Sequence, residues 1–168
     1  MHLYKQLHKK LNYLEADQIE QIHQAYLIAV EAHLGQKRDG GESYIIHPVA
    51  VACILADMHI DCQSIIAALL HDVIEDTPTT KEKIISHFGQ TVADLVDGVT
   101  KLTKIEASSK DENYAESFRK MFLAMSRDIR VILIKLADRR HNMQTISSVA
   151  PHKRRRIAQE TLDIYAPI

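Results

Sequence analysis

The chain has 168 residues, enough for one domain with a real core, and its 46% hydrophobic and 26% charged residues are the proportions of a soluble globular protein. A formal net charge of -1 gives no bulk attraction for nucleic acid or for a membrane surface. Five glycines, four prolines and no tryptophan favour long helices over many short strands. Cys53 and Cys62 are the only cysteines; they are not in a C-x-x-C arrangement, and each lies in or beside an apolar stretch. They read as reduced thiols. With no charged-then-apolar leader and no apolar run of membrane-spanning length, the expectation is a cytoplasmic protein.

Residues 3–14 carry Leu3, Leu7, Leu11 and Leu14 at helical spacing, with Tyr4 and Tyr13 beside them. Asp17 followed by Glu20 predicts an N-cap with an acidic third position. The helix it opens carries Ile19, Ile22, Tyr26 and Ala29 and should end near Gly35, with His23 and His33 as core-edge histidines. Residues 36–44 read as a loop whose Gly40-Gly41 pair marks a turn and permits close backbone approach. Pro48 predicts the opening of a helix through Val49, Val51, Ala52 and Leu55, leaving His47 at its mouth. Asp61 predicts the N-cap of a central helix.

Residues 65–77 start as an apolar helix and end in polar side chains. On a continuous helix His71 sits above Glu75, and Asp72 above Asp76. Burying three carboxylates and an imidazole is costly unless something pairs with them, and a divalent cation is the simplest partner.

Thr79 with Glu82 predicts a capping box opening a short helix through Ile84, Ile85 and Phe88, with Gly89 as terminator. Val92, Leu95, Val96, Val99 and Leu102 follow at helical spacing. Residues 104–113 are polar and read as a mobile loop; a long helix should follow from about Tyr114 past Phe118, Met121, Phe122 and Met125. Periodicity does not separate a buried strand from a buried helix at residues 130–137, but helical neighbours decide for helix, ending at Asp138 and the residues after it. Pro151 opens the last helix, through Ile157, Leu162 and Tyr165. The fold class is all-α, a single-domain helical bundle.

Three separated segments deliver metal-type groups near a helix end or break: His47, the His71-Asp72 pair and Asp138. Two imidazoles and two carboxylates suit Mn²⁺, Fe²⁺, Zn²⁺ or Co²⁺ better than Ca²⁺. Four protein ligands on an octahedral ion leave positions for water and substrate, as in a catalytic site. Asp138 alternatively pairs with Arg139 or Arg154 at the surface. The basic run at 152–156 fits either substrate phosphates or a solvated helix face with arginines paired to Glu160 or Asp163. Lys101, Lys104 and Lys135 are further candidates for phosphate contact.

The strings Gly-Glu-Ser-Tyr-Ile-Ile-His-Pro, Ala-Ala-Leu-Leu-His-Asp-Val-Ile-Glu-Asp-Thr and Ile-Lys-Leu-Ala-Asp-Arg-Arg-His-Asn-Met resemble the RelA/SpoT homologue family, specifically its N-terminal alarmone hydrolase domain. That domain lies within the His-Asp metal phosphohydrolase superfamily, and the resemblance runs over nearly the whole chain. It implies Mn²⁺-dependent hydrolysis of the 3′-pyrophosphate of guanosine tetra- and pentaphosphate to GDP or GTP plus pyrophosphate. It further implies His47, His71, Asp72 and Asp138 as metal ligands, and Glu75 and Asp76 as the acidic pair that positions and activates the attacking water. Arg38 matches the residue that stacks on guanine; Asn142 and Thr145 match positions that contact the nucleoside. No nucleic-acid or membrane partner is implied.

Asp39 and Gly40 depart from the family's pattern after Arg38, and Arg140 departs within Asp-Arg-x-His-Asn. An acidic Asp39 should weaken nucleotide binding unless it points away. The ending Ile-Tyr-Ala-Pro-Ile resembles the wording that runs on into a synthetase domain, so residues 1–168 are expected to be an excised hydrolase domain. The alternatives are a His-Asp phosphohydrolase for another nucleotide and a catalytically silent regulatory domain. Glu75-Asp76 and the Arg38 loop count against the first; the complete ligand set counts against the second.

Overall fold

The computed structural model describes residues 2–108 and 127–167. Its regular elements are the helices α1 (His2–His8), α2 (Ala16–Ala32), α3 (Ile46–Asp57), α4 (Cys62–Leu70), α5 (Val73–Asp76), α6 (Lys81–Ser108), α7 (Ile129–Gln144) and α8 (Pro151–Glu160). Among the described residues the one departure from helix pairing is an isolated antiparallel bridge between Lys37 and Ser43.

Helix α4 is apolar all round, and all of it except Gln63 is buried. Helices α2, α3, α6 and α7 pack around it. Ile65, Ile66, Leu69 and Leu70 of α4 meet a core that includes Ile22, Leu55, Leu95, Ile132 and Ile134. Each such side chain stabilises the fold by about 1.5–3 kcal/mol. Asp61 caps α4 as expected: it accepts from the Ser64 amide at 3.2 Å and from the Ser64 hydroxyl at 2.7 Å.

Several boundaries move. Helix α1 stops at His8, and the chain reaches Leu14 through short turns that still bury Leu11. The cap of α2 is Glu15, closed reciprocally by Gln18, so Asp17 lies in the first turn, where its charge faces the positive end of the helix. Helix α3 begins two residues before Pro48; the proline sits in the first turn, where its missing N–H costs nothing. The cap of α6 is one residue later than Thr79: the Lys83 amide donates to the Thr80 hydroxyl at 3.4 Å.

Gly89, with φ 82° and ψ 174°, breaks α6 into the two predicted arms. Residues 104–108 are helical, where the loop was expected to begin. The rest of that loop and the helix expected from Tyr114 lie outside the described residues. Residues 130–137 are helix, and α7 runs on past Asp138 to Gln144. After α8 a single π turn, Thr161–Tyr165, seats the Tyr165 ring 4.5 Å from the Arg139 guanidinium.

Both cysteines are free, and burial pushes each thiol up to about 11. No helix among the described residues is long and apolar enough to cross a membrane.

The backbone at Gly89 occupies a region open essentially to glycine alone, while no atom would crowd a side chain there. Gly89→Ala should therefore destabilise the fold by about 1–3 kcal/mol through the backbone alone. Urea unfolding measures it, and a neutral result would remove the conformational argument.

Candidate metal centre

The central helix does not continue to Thr77. Helix α4 ends at Leu70, His71 caps it, and Asp72 opens α5 with φ −95° and ψ −7°. His71 turns into the core, whereas Glu75 is exposed on a pocket wall. Asp72 and Asp76 stay together: the Asp76 amide donates to the Asp72 carbonyl at 2.9 Å, and the Tyr44 hydroxyl lies 2.7 Å from Asp72 Oδ2 and 3.0 Å from Asp76 Oδ2.

Helices α3, α4 and α7 converge at this break. His47, His71 and Asp138 are all buried, and their ligand atoms lie within 4.8 Å of one another. His47 Nε2 is 3.1 Å from Asp138 Oδ1 and 3.8 Å from Asp72 Oδ2. His71 Nε2 is 3.1 Å from Asp72 Oδ2 and 4.0 Å from Asp138 Oδ1.

Neighbours fix the imidazoles for ligation. His71 Nδ1 donates to the Ala68 carbonyl at 2.8 Å, which leaves Nε2 facing the carboxylates. That Nε2 is fully buried and, although 3.1 Å from Asp72 Oδ2, is not aligned for a regular hydrogen bond with it. His47 Nδ1 is 2.8 Å from His141 Nδ1, and the tautomer in which His47 donates leaves its Nε2 for a metal. Burial, then the His47 and Arg38 charges, holds His141 down near about 4, so its imidazole stays neutral. An orphaned buried nitrogen, a second imidazole and two carboxylates are a donor set that fits a divalent cation.

The metal-free electrostatics show the same need. Burial alone would raise Asp138, but Lys135, 3.2 Å away, and then His47 hold it well below the usual carboxylate range. Burial also opposes Asp72, which His71 brings down to about 2. Burial would lower His71, yet Asp72 and Asp138 outweigh it and raise the imidazole to about 9. For His47 burial wins, and its imidazole is lowered.

A cavity of about 420 Å³ opens beside the cluster, lined among others by Arg38, Asp72, Glu75, Asp76, Asn142 and Thr145. Arg38 Nη2 donates to Asn142 Oδ1 at 2.8 Å, and Asn142 Nδ2 donates to Asp138 Oδ1 at 2.7 Å. Arginine only donates and a carboxylate only accepts, so the Asn142 amide has one orientation. The Thr145 hydroxyl donates to the His141 carbonyl at 3.0 Å, near the end of α7.

Asp138 is buried rather than paired at the surface; Arg139 reaches Glu160 at 3.4 Å instead, and Arg154 donates to the Ser147 and Val149 carbonyls. Asp39 meets Lys153 at 3.2 Å, which offsets the charge that a nucleotide would face. At Gly40 a Cβ would come within 2.3 Å of Glu42 Oε2 and 3.1 Å of Ser148 Cβ, so the departure to glycine suits this close approach. Arg140 is exposed, and nothing in the structure explains it. Within the basic run Lys153 lines the cavity, and Arg156 lies 3.6 Å from Glu160, as on a solvated face. Lys135 also lines the cavity; Lys101 pairs with Asp97 at 2.8 Å, and the Lys104 side chain lies outside the described residues.

Tyr44 and His141 were not among the predicted site residues. His141 lies three positions after Asp138 on α7, a spacing that puts both on one face, whereas Tyr44 lies in the turn before α3, three positions before His47.

The model of the HD domain family matches residues 25–168, and the chain belongs to that family. It is 58% identical over 169 aligned positions to the bifunctional (p)ppGpp synthase/hydrolase SpoT of Escherichia coli (strain K12), covering 100% of this chain and 24% of that one. It is 60% identical over 156 positions to the guanosine-3′,5′-bis(diphosphate) 3′-pyrophosphohydrolase of Vibrio cholerae serotype O1, covering 93% of this chain and 22% of that one. A solved structure described as a metazoan ortholog of SpoT that hydrolyzes ppGpp aligns with a TM-score of 0.69 at 26% identity, over 91% of this chain and 85% of that one. The chain thus spans about a quarter of the length of these curated relatives, 24% and 22%.

A proton competes with a metal for His71. With the imidazole raised to about 9, metal loading at pH 7 should release about one proton, and affinity should climb as pH rises toward 9. Calorimetry in buffers of different ionisation heat reads the release. Loading with no proton released would put His71 outside the coordination shell.

Proposed function

We propose that this domain hydrolyses the 3′-pyrophosphate of guanosine tetra- and pentaphosphate, giving pyrophosphate and GDP or GTP. In this reading Mn²⁺ is held by His47, His71, Asp72 and Asp138. The observation that carries it is a single cavity whose walls include both metal-type carboxylates and Arg38, Asn142 and Thr145. The printed names of the Escherichia coli and Vibrio cholerae relatives support the substrate. Because the match covers a quarter of those relatives, the proposal is confined to hydrolysis. Two free thiols suit the cytoplasm as its compartment.

A bound ion would lower the pKa of a water and draw charge from the phosphoryl oxygens. Glu75 and Asp76 stand on the cavity wall, exposed, where a carboxylate accepts the proton of the attacking water. Arg38 offers a planar guanidinium to stack on guanine, held in place through Asn142. Lys135 and Lys153 line the same cavity and bring positive charge toward the phosphates.

The direct test is pyrophosphate release from guanosine tetraphosphate, with and without Mn²⁺. Release that requires the metal is expected; a preference for a deoxynucleoside triphosphate or a cyclic nucleotide would overturn the substrate. Stoichiometric metal without any turnover would favour the silent regulatory reading.

Three variants separate the roles. Asp72→Asn should lose both metal and turnover, since it removes a charge from the ligand set. Arg38→Ala should raise KM with metal content unchanged. Glu75→Gln should keep metal and nucleotide but slow turnover by about 10²–10⁴. Metal loss restored by excess Mn²⁺ would make Glu75 a ligand instead.

A further inference from the structure

Tyr44 touches both acidic groups at the helix break, and its ring is clamped from the other side. The phenol stacks on His33, with centroids 4.6 Å apart and planes at 27°. His33 Nδ1 lies 2.8 Å from Gln36 Oε1, and Gln36 Nε2 donates to the Asp76 carbonyl at 3.0 Å. The Tyr44 amide donates to the Gln36 carbonyl at 3.1 Å, which closes the loop on itself. The end of α2, the loop and both ends of α5 are thus tied together around one ring. A tyrosine hydroxyl has one proton to donate, yet two carboxylate oxygens lie within 3.0 Å of it. The shorter contact is to Asp72, at 2.7 Å.

We infer that Tyr44 is a positioning residue: its hydroxyl, on a ring braced by His33, holds Asp72 toward His47 and His71 and keeps Asp76 beside it at the cavity. Two like charges gathered at one point separate unless a donor stands between them. The hydroxyl is that donor. Without it Asp72 is free to turn toward solvent, leaving the histidines one carboxylate short. His33, read from sequence as a core-edge residue, fixes the plane of the phenol.

The kinetic part of this inference rests on the hydrolase reading above, and the metal part on the ligand set proposed there. Tyr44→Phe keeps the ring and its stacking while removing the hydroxyl. Mn²⁺ titration by calorimetry should show affinity reduced about 10–100-fold, the usual effect of removing a partner that orients a ligand. With guanosine tetraphosphate at saturating Mn²⁺, kcat should fall while KM holds. The metal-free unfolding temperature should stay in place. Unchanged Mn²⁺ affinity and kcat would overturn the inference. So would a lowered metal-free unfolding temperature with Mn²⁺ affinity intact, which is the signature of packing alone. If the wild-type chain releases no pyrophosphate, the hydrolase reading falls, and the Mn²⁺ titration still decides the role of Tyr44.

Discussion

Asp138 is a buried carboxylate that must have a positive neighbour, and the site is arranged around that demand. Lys135 supplies one charge at 3.2 Å. A second comes from His71, whose imidazole the carboxylates raise to about 9. A proton on His71 or a divalent cation would each supply that charge. Isolated ionised groups in a protein interior are costly enough that the niche around Asp138 has to be filled by one or the other.

The helix break makes that niche possible. A helix carried straight through residues 71–76 would stack His71 on Glu75 and give both the same surroundings. In the structure the imidazole lies in the core and the Glu75 carboxylate on the cavity wall.

The fold class was legible because it rests on a simple signal, and so was the gathering of His47, His71 and Asp138 at one point. Helical spacing marks α4 and α7, and although a His-Asp doublet is common by chance, one apolar helix ending in His-Asp-x-x-Glu-Asp and a second apolar segment ending in Asp together point to a site. The family resemblance supplied Arg38 and the acidic pair, whose roles no spacing rule reveals. Boundaries were less legible. Glu15 rather than Asp17 caps α2 because Gln18 can close on it, and two polar residues so close give nearly the same pattern. The break after Leu70 carries no glycine or proline at all, so nothing local announced it. Tyr44 and His141 were missed for a related reason: a phenol and an imidazole on a loop and a helix face look ordinary until the distances to their neighbours are known.

Helix α7 shows how one regular element can set several parts of a site. Asp138, His141, Asn142 and Thr145 recur at three- and four-residue spacing and so share a face. Asp138 is a ligand candidate, His141 contacts the Nδ1 of another, and Asn142 joins Asp138 to Arg38. The Asn142 amide cannot flip, because either reversed contact would set like against like. Arg38 and Asp138 lie on segments far apart in the chain, yet one side chain sets both. The Arg38 loop is thus linked by two hydrogen bonds to the Asp138 oxygen that faces His47 at 3.1 Å. Continuing α7 past Asp138 accomplishes this, since a helix that stopped there would deliver the carboxylate without the residues that hold it.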